Sequence, residues 1–341
     1  MQILPHDPVN TEDWAAKIQQ YPLPDWRNRS HDEFRQRGKR WQHDPADRPW
    51  FDQPGALEKV AALRSAKRIS ADEETLLTQF VTDGYFVLQN AIDESEWHLL
   101  DEYNKDLDAV WWDGQVRDGL QVSGLRVDGR KRDPIPHAEL LSWPLEKRLH
   151  LRDSETWRIH YYQAHTRPGL GLARARKLVR LSTLLLDRDP TLLNLTTYKY
   201  SSEVALHQDM WFYHLYPINQ LVGVWLACED VTPETGPLAV YPGSQKAPVW
   251  PGFSNYPQTN YRTCPPETHM QIEEYLREQV KGVERVSLPV KKGTGIFLNG
   301  LLTHDADKVQ KRGVHSRFSI VFHYTVRGTD RRNEVEGPFN Y

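Results

Sequence analysis

The sequence predicts a mainly β protein, a sandwich or barrel with flanking helices, and the texture of its second half carries that prediction. After Pro190, short β-rich runs are separated by turns at Pro217-Ile218-Asn219, Pro233-Glu234-Thr235-Gly236, Pro242-Gly243-Ser244 and Lys291-Lys292-Gly293. Evenly spaced short strands with Gly and Pro punctuation favour a sandwich or barrel over a parallel sheet. Before Pro190 the patterns are helical instead. The composition, 39% hydrophobic and 26% charged over 341 residues, is that of a folded globular chain with a sizeable core.

In chain order, residues 1–70 place Trp14, Trp26, Trp41 and Trp50 among charges and prolines without a sustained period. They read as an arm packed on the body through its tryptophans, and residues 71–341 read as the main domain. Ser70 with Glu73 forms a capping box, and Leu76, Leu77 and Phe80 continue a helical stripe to Asp83-Gly84. Tyr85-Phe86-Val87-Leu88 reads as a strand, and Asp93 to about Asp108 as a second amphipathic helix. Residues 113–135 read as a solvated loop. The basic residues of Leu170–Leu186 (Arg174, Arg176, Lys177, Arg180) read as the polar face of a helix. Residues 245–285 form a long insertion with a helix around Gln271–Gln279; insertions of that length act as lids or binding loops.

Several classes are disfavoured. With 43 basic against 46 acidic residues the net charge is -3, which gives no global field for nucleic acid. Two cysteines, Cys228 and Cys264, are too few for a disulfide framework or a cysteine zinc cluster. No run approaches the ~18 apolar residues of a membrane span and the N-terminus has no signal-peptide pattern, so a cytoplasmic location is expected.

The chemistry concentrates near the strands. Leu206-His207-Gln208-Asp209-Met210 contains an H-x-D within an expected strand, where a period of two puts His207 and Asp209 on one face. His304, after the apolar run Gly295-Ile296-Phe297-Leu298, is a candidate third ligand. Two imidazoles and one carboxylate on one face of an octahedron leave three positions open, as in non-haem Fe(II) oxygenases. Thirteen residues later, Arg317 and Ser319 in an expected strand Arg317–Tyr324 present a guanidinium and a hydroxyl on one face, suited to a carboxylate.

These segments resemble the phytanoyl-CoA dioxygenase family of Fe(II)/2-oxoglutarate oxygenases. The likeness runs through His207-Gln208-Asp209, Gly223-Val224-Trp225-Leu226-Ala227, Glu229 to Leu238, Tyr241 to Lys246, Leu301-Leu302-Thr303-His304 and Ser316 to Tyr324, covering roughly residues 70 to 328. It implies a double-stranded β-helix (jelly-roll, cupin-like) core, with Fe(II) held by His207, Asp209 and His304. It also implies 2-oxoglutarate on Arg317, with Ser319, Trp225, Asn194 and Tyr198 as further cosubstrate contacts and O2 as the second cosubstrate. Asp209 favours hydroxylation, or the desaturation and ring closures related to it, because halogenating relatives lack that carboxylate. The chain departs from the family pattern at Thr294, at Asn299 and at Asp305-Ala306-Asp307 after the second histidine.

The expected function is hydroxylation of an aliphatic C–H of a small molecule (a metabolite, lipid-like or sugar-like), with succinate and CO2 as coproducts. Trp211, Tyr213 and His214, the 113–135 loop and the 245–285 insertion are the expected substrate determinants. Three rivals use the same triad: a jelly-roll metallohydrolase, which has no need of Arg317, a non-catalytic metal-binding jelly roll, and a nucleic-acid- or protein-directed oxygenase, which the net charge of -3 and the resemblance disfavour.

Overall fold

A computed structural model describes residues 48–200, 205–213, 215–216, 218–251, 266–311, 313–326 and 329–331. Trp14, Trp26, Trp41, Cys264 and His214 lie outside them. The first described elements pack a helical layer: α1 (Ala56–Ser65), α2 (Ala71–Asp83) and, after strand β1 (Tyr85–Leu88), α3 (Trp97–Trp112). Helix α2 starts on the capping box, with Ser70 Oγ accepting from Glu73 N and the Glu73 carboxylate accepting from Ser70 N. It ends at Gly84, whose φ of 82° is the left-handed conformation that glycine adopts without strain. Trp50 docks this end of the chain by donating its indole N–H to Leu184 O at 3.2 Å.

Residues 113–135 are more ordered than a solvated loop. They contain β2 (Gln121–Val122), β3 (Arg126–Val127), β4 (Arg130–Lys131) and β5 (Ile135–Pro136), with β2 pairing β5 and β3 pairing β4. Helices α4 (His137–Ser142) and α5 (Leu145–Ser154), strand β6 (Arg158–Ile159), and helices α6 (Arg167–Ala173) and α7 (Arg176–Leu186) complete the first half.

The second half supplies β7 (Pro190–Tyr198), the short helix α8 (Asp209–Tyr213), β8 (Leu215–Tyr216), β9 (Val222–Ala227) and β10 (Leu238–Val240). Helix α9 (Pro266–Gln279) and strands β11 (Val286–Leu288), β12 (Gly295–Asn299), β13 (His304–Ala306), β14 (Ser319–Val326) and β15 (Asp330–Arg331) follow. Six strands form an antiparallel sheet in the order β1-β12-β9-β14-β7-β6, and three form a smaller one in the order β11-β10-β13.

The period of two along the strands gives the large sheet two different faces. Ile320, Phe322, Tyr324 and Val326 of β14, with Val222, Val224 and Leu226 of β9 and Phe297 of β12, join one core with Phe80, Leu100, Leu107, Leu178, Leu181 and Leu185 from the helices. Phe86 stacks on Phe297 within it, ring centroids 4.5 Å apart. From the opposite face Trp225, Ala227, Ile296 and Leu298 pack with Leu238 and Val240 of the smaller sheet. Among the described residues no helix is long and apolar enough to cross a membrane.

The basic run 170–186 departs from the sequence expectation. It forms two helices rather than one, and Lys177 and Arg180 are buried. Lys177 Nζ lies 2.7 Å from Asp93 Oδ1, and Arg180 pairs with Glu73 at 2.8 Å while donating to Arg68 O. Amphipathic spacing tells where charges lie on a helix, but not that another helix brings carboxylates to meet them.

Glu73 therefore serves both as a cap and as the partner of a buried guanidinium. Removing one member of such a pair leaves an uncompensated charge, so Glu73→Ala should destabilise the fold by about 3–5 kcal/mol. Glu73→Gln, which keeps a hydrogen-bonding group, should cost about 1–3 kcal/mol. Chemical denaturation of the three proteins measures both. A loss below about 1 kcal/mol for Glu73→Ala would show that the pair is not a structural link.

Candidate metal centre and active-site cavity

Backbone pairing brings the two histidines together. His207 N donates to His304 O at 3.0 Å and His304 N to His207 O at 2.9 Å, an isolated antiparallel bridge that sets the imidazoles side by side at 4.2 Å between centroids. The H-x-D is thus not part of a regular strand, as the sequence reading has it. His207 sits in the bridge, and Asp209 opens the first turn of α8. Helical backbone still returns the carboxylate to the histidines: Asp209 Oδ1 is 4.0 Å from His207 Nε2 and 3.8 Å from His304 Nε2. The candidate ligand atoms of His207, Asp209 and His304 all fall within 4.8 Å of one another, and all three residues are buried.

Each imidazole is oriented for ligation. Nδ1 of His207 faces Ala205 O at 2.8 Å and Nδ1 of His304 faces Leu302 O at 2.9 Å, so a proton on Nδ1 leaves the Nε2 lone pair free. Burial, reinforced by the neighbouring His304, lowers the His207 pKa to about 3 and keeps that ring neutral. Burial alone would raise Asp209, but His323, His304 and His207 hold its carboxyl well below the usual range. Two imidazole nitrogens with an ionised carboxylate oxygen are the donor set of a facial-triad iron site.

His323 is the residue that the sequence analysis missed. Its Nε2 lies 3.3 Å from Asp209 Oδ2, and its Nδ1 is 2.9 Å from Tyr213 Oη, to which Asn194 Nδ2 donates at 2.6 Å. Asn194 Oδ1 accepts from Tyr161 N and its Nδ2 also donates to Thr196. Asn194 therefore stands behind the cavity wall, bonded to neighbours, and is not among the lining residues. Gly223, in register with His323, leaves the room Asp209 needs: a Cβ there would stand 3.1 Å from Asp209 Oδ2.

The triad opens into a cavity of about 530 Å³ lined by Tyr198, Trp211, Tyr213, Trp225, Arg317 and His323, among others. Arg317 precedes β14 rather than lying in it. Glu229 clamps that segment by accepting from Phe318 N at 2.7 Å and Ser316 Oγ at 3.1 Å. The Arg317 guanidinium lies 5.6 Å from the Trp225 ring centroid, is only 2% exposed and donates to Gly236 O. Burial lowers its pKa to about 10, which leaves it charged at neutral pH. Arg317 Nε and Ser319 Oγ are buried with no hydrogen-bond partner among the described residues. Unpaired buried polar atoms of this kind are costly; Arg317 lines the cavity, where a ligand carboxylate would satisfy it, whereas Ser319 is not among the lining residues. Ser319 lies opposite Tyr198, whose other neighbour in register is Arg158; the Arg158 Nε is also buried without a partner, and the side chain lines the cavity.

Trp211 stacks on Phe212 at 5.3 Å and lies 5.1 Å from the His269 ring, so α9 of the insertion closes one side of the cavity. Residues 252–265 of that insertion lie outside the described residues. The departures from the family pattern also find places here. Asn299 and Asn219 both donate to Asp52, while Asp305 and Asp307 pair with Arg285 at 2.6 and 2.7 Å.

The family model of phytanoyl-CoA dioxygenase (PhyH) matches residues 80–313. This chain belongs to that family. Among the family's curated proteins, the peroxisomal phytanoyl-CoA dioxygenase of Bos taurus is 29% identical over 163 residues, 46% of this chain and 44% of that protein. The Rattus norvegicus protein is 27% identical over 183 residues, 51% and 47% of the two chains. This family member thus spans less than half the length of either relative.

Solved structures of similar shape include the non-heme alpha ketoglutarate dependent carbocyclase SnoK of nogalamycin biosynthesis, with a TM-score of 0.54 at 13% identity over 78% of this chain and 88% of that one. Another is EctD from S. alaskensis with 2-oxoglutarate and 5-hydroxyectoine, with a TM-score of 0.52 at 18% identity over 76% of each chain. At such identities the likeness is one of fold.

In this PhyH family member His323 supports the carboxylate without being one of the three clustered candidates. His323→Phe keeps the ring volume but removes both polar contacts, so Mn(II) affinity should fall about 10–100-fold while the circular dichroism spectrum is unchanged. Calorimetric titration with Mn(II) measures it, and an affinity equal to wild type would show that Asp209 does not depend on this neighbour.

Proposed function

We propose that this chain is an Fe(II)- and 2-oxoglutarate-dependent dioxygenase, built on a double-stranded β-helix, that hydroxylates an aliphatic C–H of a small-molecule substrate and releases succinate and CO2. The observation that carries the reading is the buried Arg317, whose Nε has no hydrogen-bond partner among the described residues, lining the same cavity as the His207, Asp209 and His304 cluster. A hydrolytic or purely metal-binding site would gain nothing from a charged guanidinium buried at that point.

The roles of the residues follow from their placement. His207, Asp209 and His304 would hold the metal through two imidazole nitrogens and one carboxylate oxygen. Iron with 2-oxoglutarate and O2 supplies the oxidising power, which is the cofactor's chemistry. Arg317 grips the distal carboxylate, and the Trp225 ring walls the same end and excludes water. Arg158, the second guanidinium near Tyr198, offers a counter-charge to the other carboxylate of a dianion. Trp211 and Tyr213 border the space left for substrate. The protein's share is to orient these groups and keep water out.

The test separates cosubstrate binding from metal binding. A ligand that binds only the folded protein stabilises it by about 2.7 kcal/mol at a hundredfold excess over Kd. Wild type loaded with Mn(II) should therefore melt several degrees higher once 2-oxoglutarate is added. Arg317→Ala should bind Mn(II) as wild type does and lose most of that increment, while Arg317→Lys should recover part, since an ammonium lacks the planar fork. With Fe(II) and O2, wild type should form succinate, and His207→Ala, Asp209→Ala or His304→Ala should not. A wild-type-sized 2-oxoglutarate shift in Arg317→Ala overturns the carboxylate assignment. Zinc-dependent hydrolysis without 2-oxoglutarate binding would favour the metallohydrolase.

A further inference from the structure

The hairpin β3–β4 places two cations on the cavity wall. Asp128 and Gly129 have φ of 52° and 76°, as a two-residue type I′ turn requires, and Arg132 N donates to Leu125 O at 2.9 Å to close it. In the ladder Arg126 lies directly opposite Lys131, so both side chains leave the same face, and both line the cavity. Val127, on the other face, is buried. Like charges directly opposite each other destabilise a two-stranded ladder. The neighbouring carboxylates do not relieve Arg126: Asp128 pairs with Lys147 at 3.3 Å, Glu139 with Arg132 at 2.8 Å and Asp133 with Lys131 at 3.4 Å.

The charge balance of the cavity points the same way. Its lining carboxylates all have partners: Asp209 has the histidines, Glu273 has Arg277, and Asp305 has Arg285. Its lining cations are Arg126, Lys131, Arg158 and Arg317. In the reading proposed above, the two carboxylates of 2-oxoglutarate account for Arg317 and Arg158. Of the hairpin cations, Arg126 is left over among the described residues and Lys131 has only Asp133 at 3.4 Å, and the same cavity offers the stacked Trp211 and Phe212 as an apolar wall.

We propose that the substrate carries an anionic oxygen group, such as a carboxylate, docked between Arg126 and Lys131, with an apolar body against Trp211 and Phe212. The two residues are specificity determinants and touch neither metal nor cosubstrate. The inference rests on the oxygenase reading for the assignment of Arg317 and Arg158.

A matched pair of fluorescent probes tests it: 8-anilinonaphthalene-1-sulfonate and N-phenyl-1-naphthylamine, one aromatic scaffold with and without an anion. Titrated into protein loaded with Mn(II) and 2-oxoglutarate, the sulfonate should bind about tenfold tighter or better. Arg126→Gln with Lys131→Gln should abolish that preference and leave the neutral probe within about twofold of wild type, and Arg126→Gln alone should lose part of it. Trp211→Ala should weaken both probes. A wild type without preference, or a double variant that keeps it, overturns the proposal. The 2-oxoglutarate melting increment, measured on the same samples, should be unchanged in the double variant. Loss of that increment in wild type sinks the oxygenase reading, whereas a normal increment without sulfonate preference sinks only the substrate inference.

Discussion

The reciprocal backbone pairing of His207 with His304 is the constraint on which the centre depends. It joins two segments almost a hundred positions apart through one antiparallel bridge, and it fixes both imidazoles before any ligand arrives. On its other side His304 pairs with Val240 of β10, so the bridge continues the smaller sheet. It also explains why Asp209 need not lie on a strand. Once the histidines are fixed, the first turn of α8 returns the carboxylate to them, and Met210 N donating to Gly300 O holds that turn in place.

Behind the candidate ligands stands a chain of buried polar groups: Asn194, Tyr213, His323 and Asp209. In a low-dielectric interior such a chain strengthens itself when complete and is costly when broken. Its hydrogen-bonded part forms because β7 and β14 are adjacent, with Asn194 and His323 in register just before the ladder shifts at Tyr324, and His323 Nε2 then stands 3.3 Å from Asp209 Oδ2. The face of the large sheet opposite the helices can therefore carry polar chemistry, while the helices seal the other face with aliphatic and aromatic side chains.

How much of this was legible varies by element. The capping box at Ser70, the strand Tyr85–Leu88 and the helix after Asp93 were readable because each is encoded within a few residues. The clustering of His207, Asp209 and His304 followed from residue types and from likeness to a family. His323 was legible in principle: from Ser319, a period of two gives Val321 and then His323 on the face opposite Ile320 and Phe322. It was passed over because a histidine in a strand has no signature until its partners are known. The ion pairs of Lys177 and Arg180 were not legible, because each depends on a partner far away in the chain; the β3–β4 hairpin is local, and its Asp128-Gly129 turn was legible in principle.

Gly223 has a cost as well as a use. It interrupts Val222, Val224 and Trp225 in the middle of the large sheet, where a residue without a side chain weakens a strand by roughly 0.5–1 kcal/mol relative to alanine. The space it leaves open is one hydrogen atom deep and belongs to Asp209. The protein thus accepts a soft spot in the middle of its largest sheet so that a carboxylate can stand there. A screen that selects for thermal robustness would be drawn to fill this gap, and would harden the sheet at the expense of the group beside it.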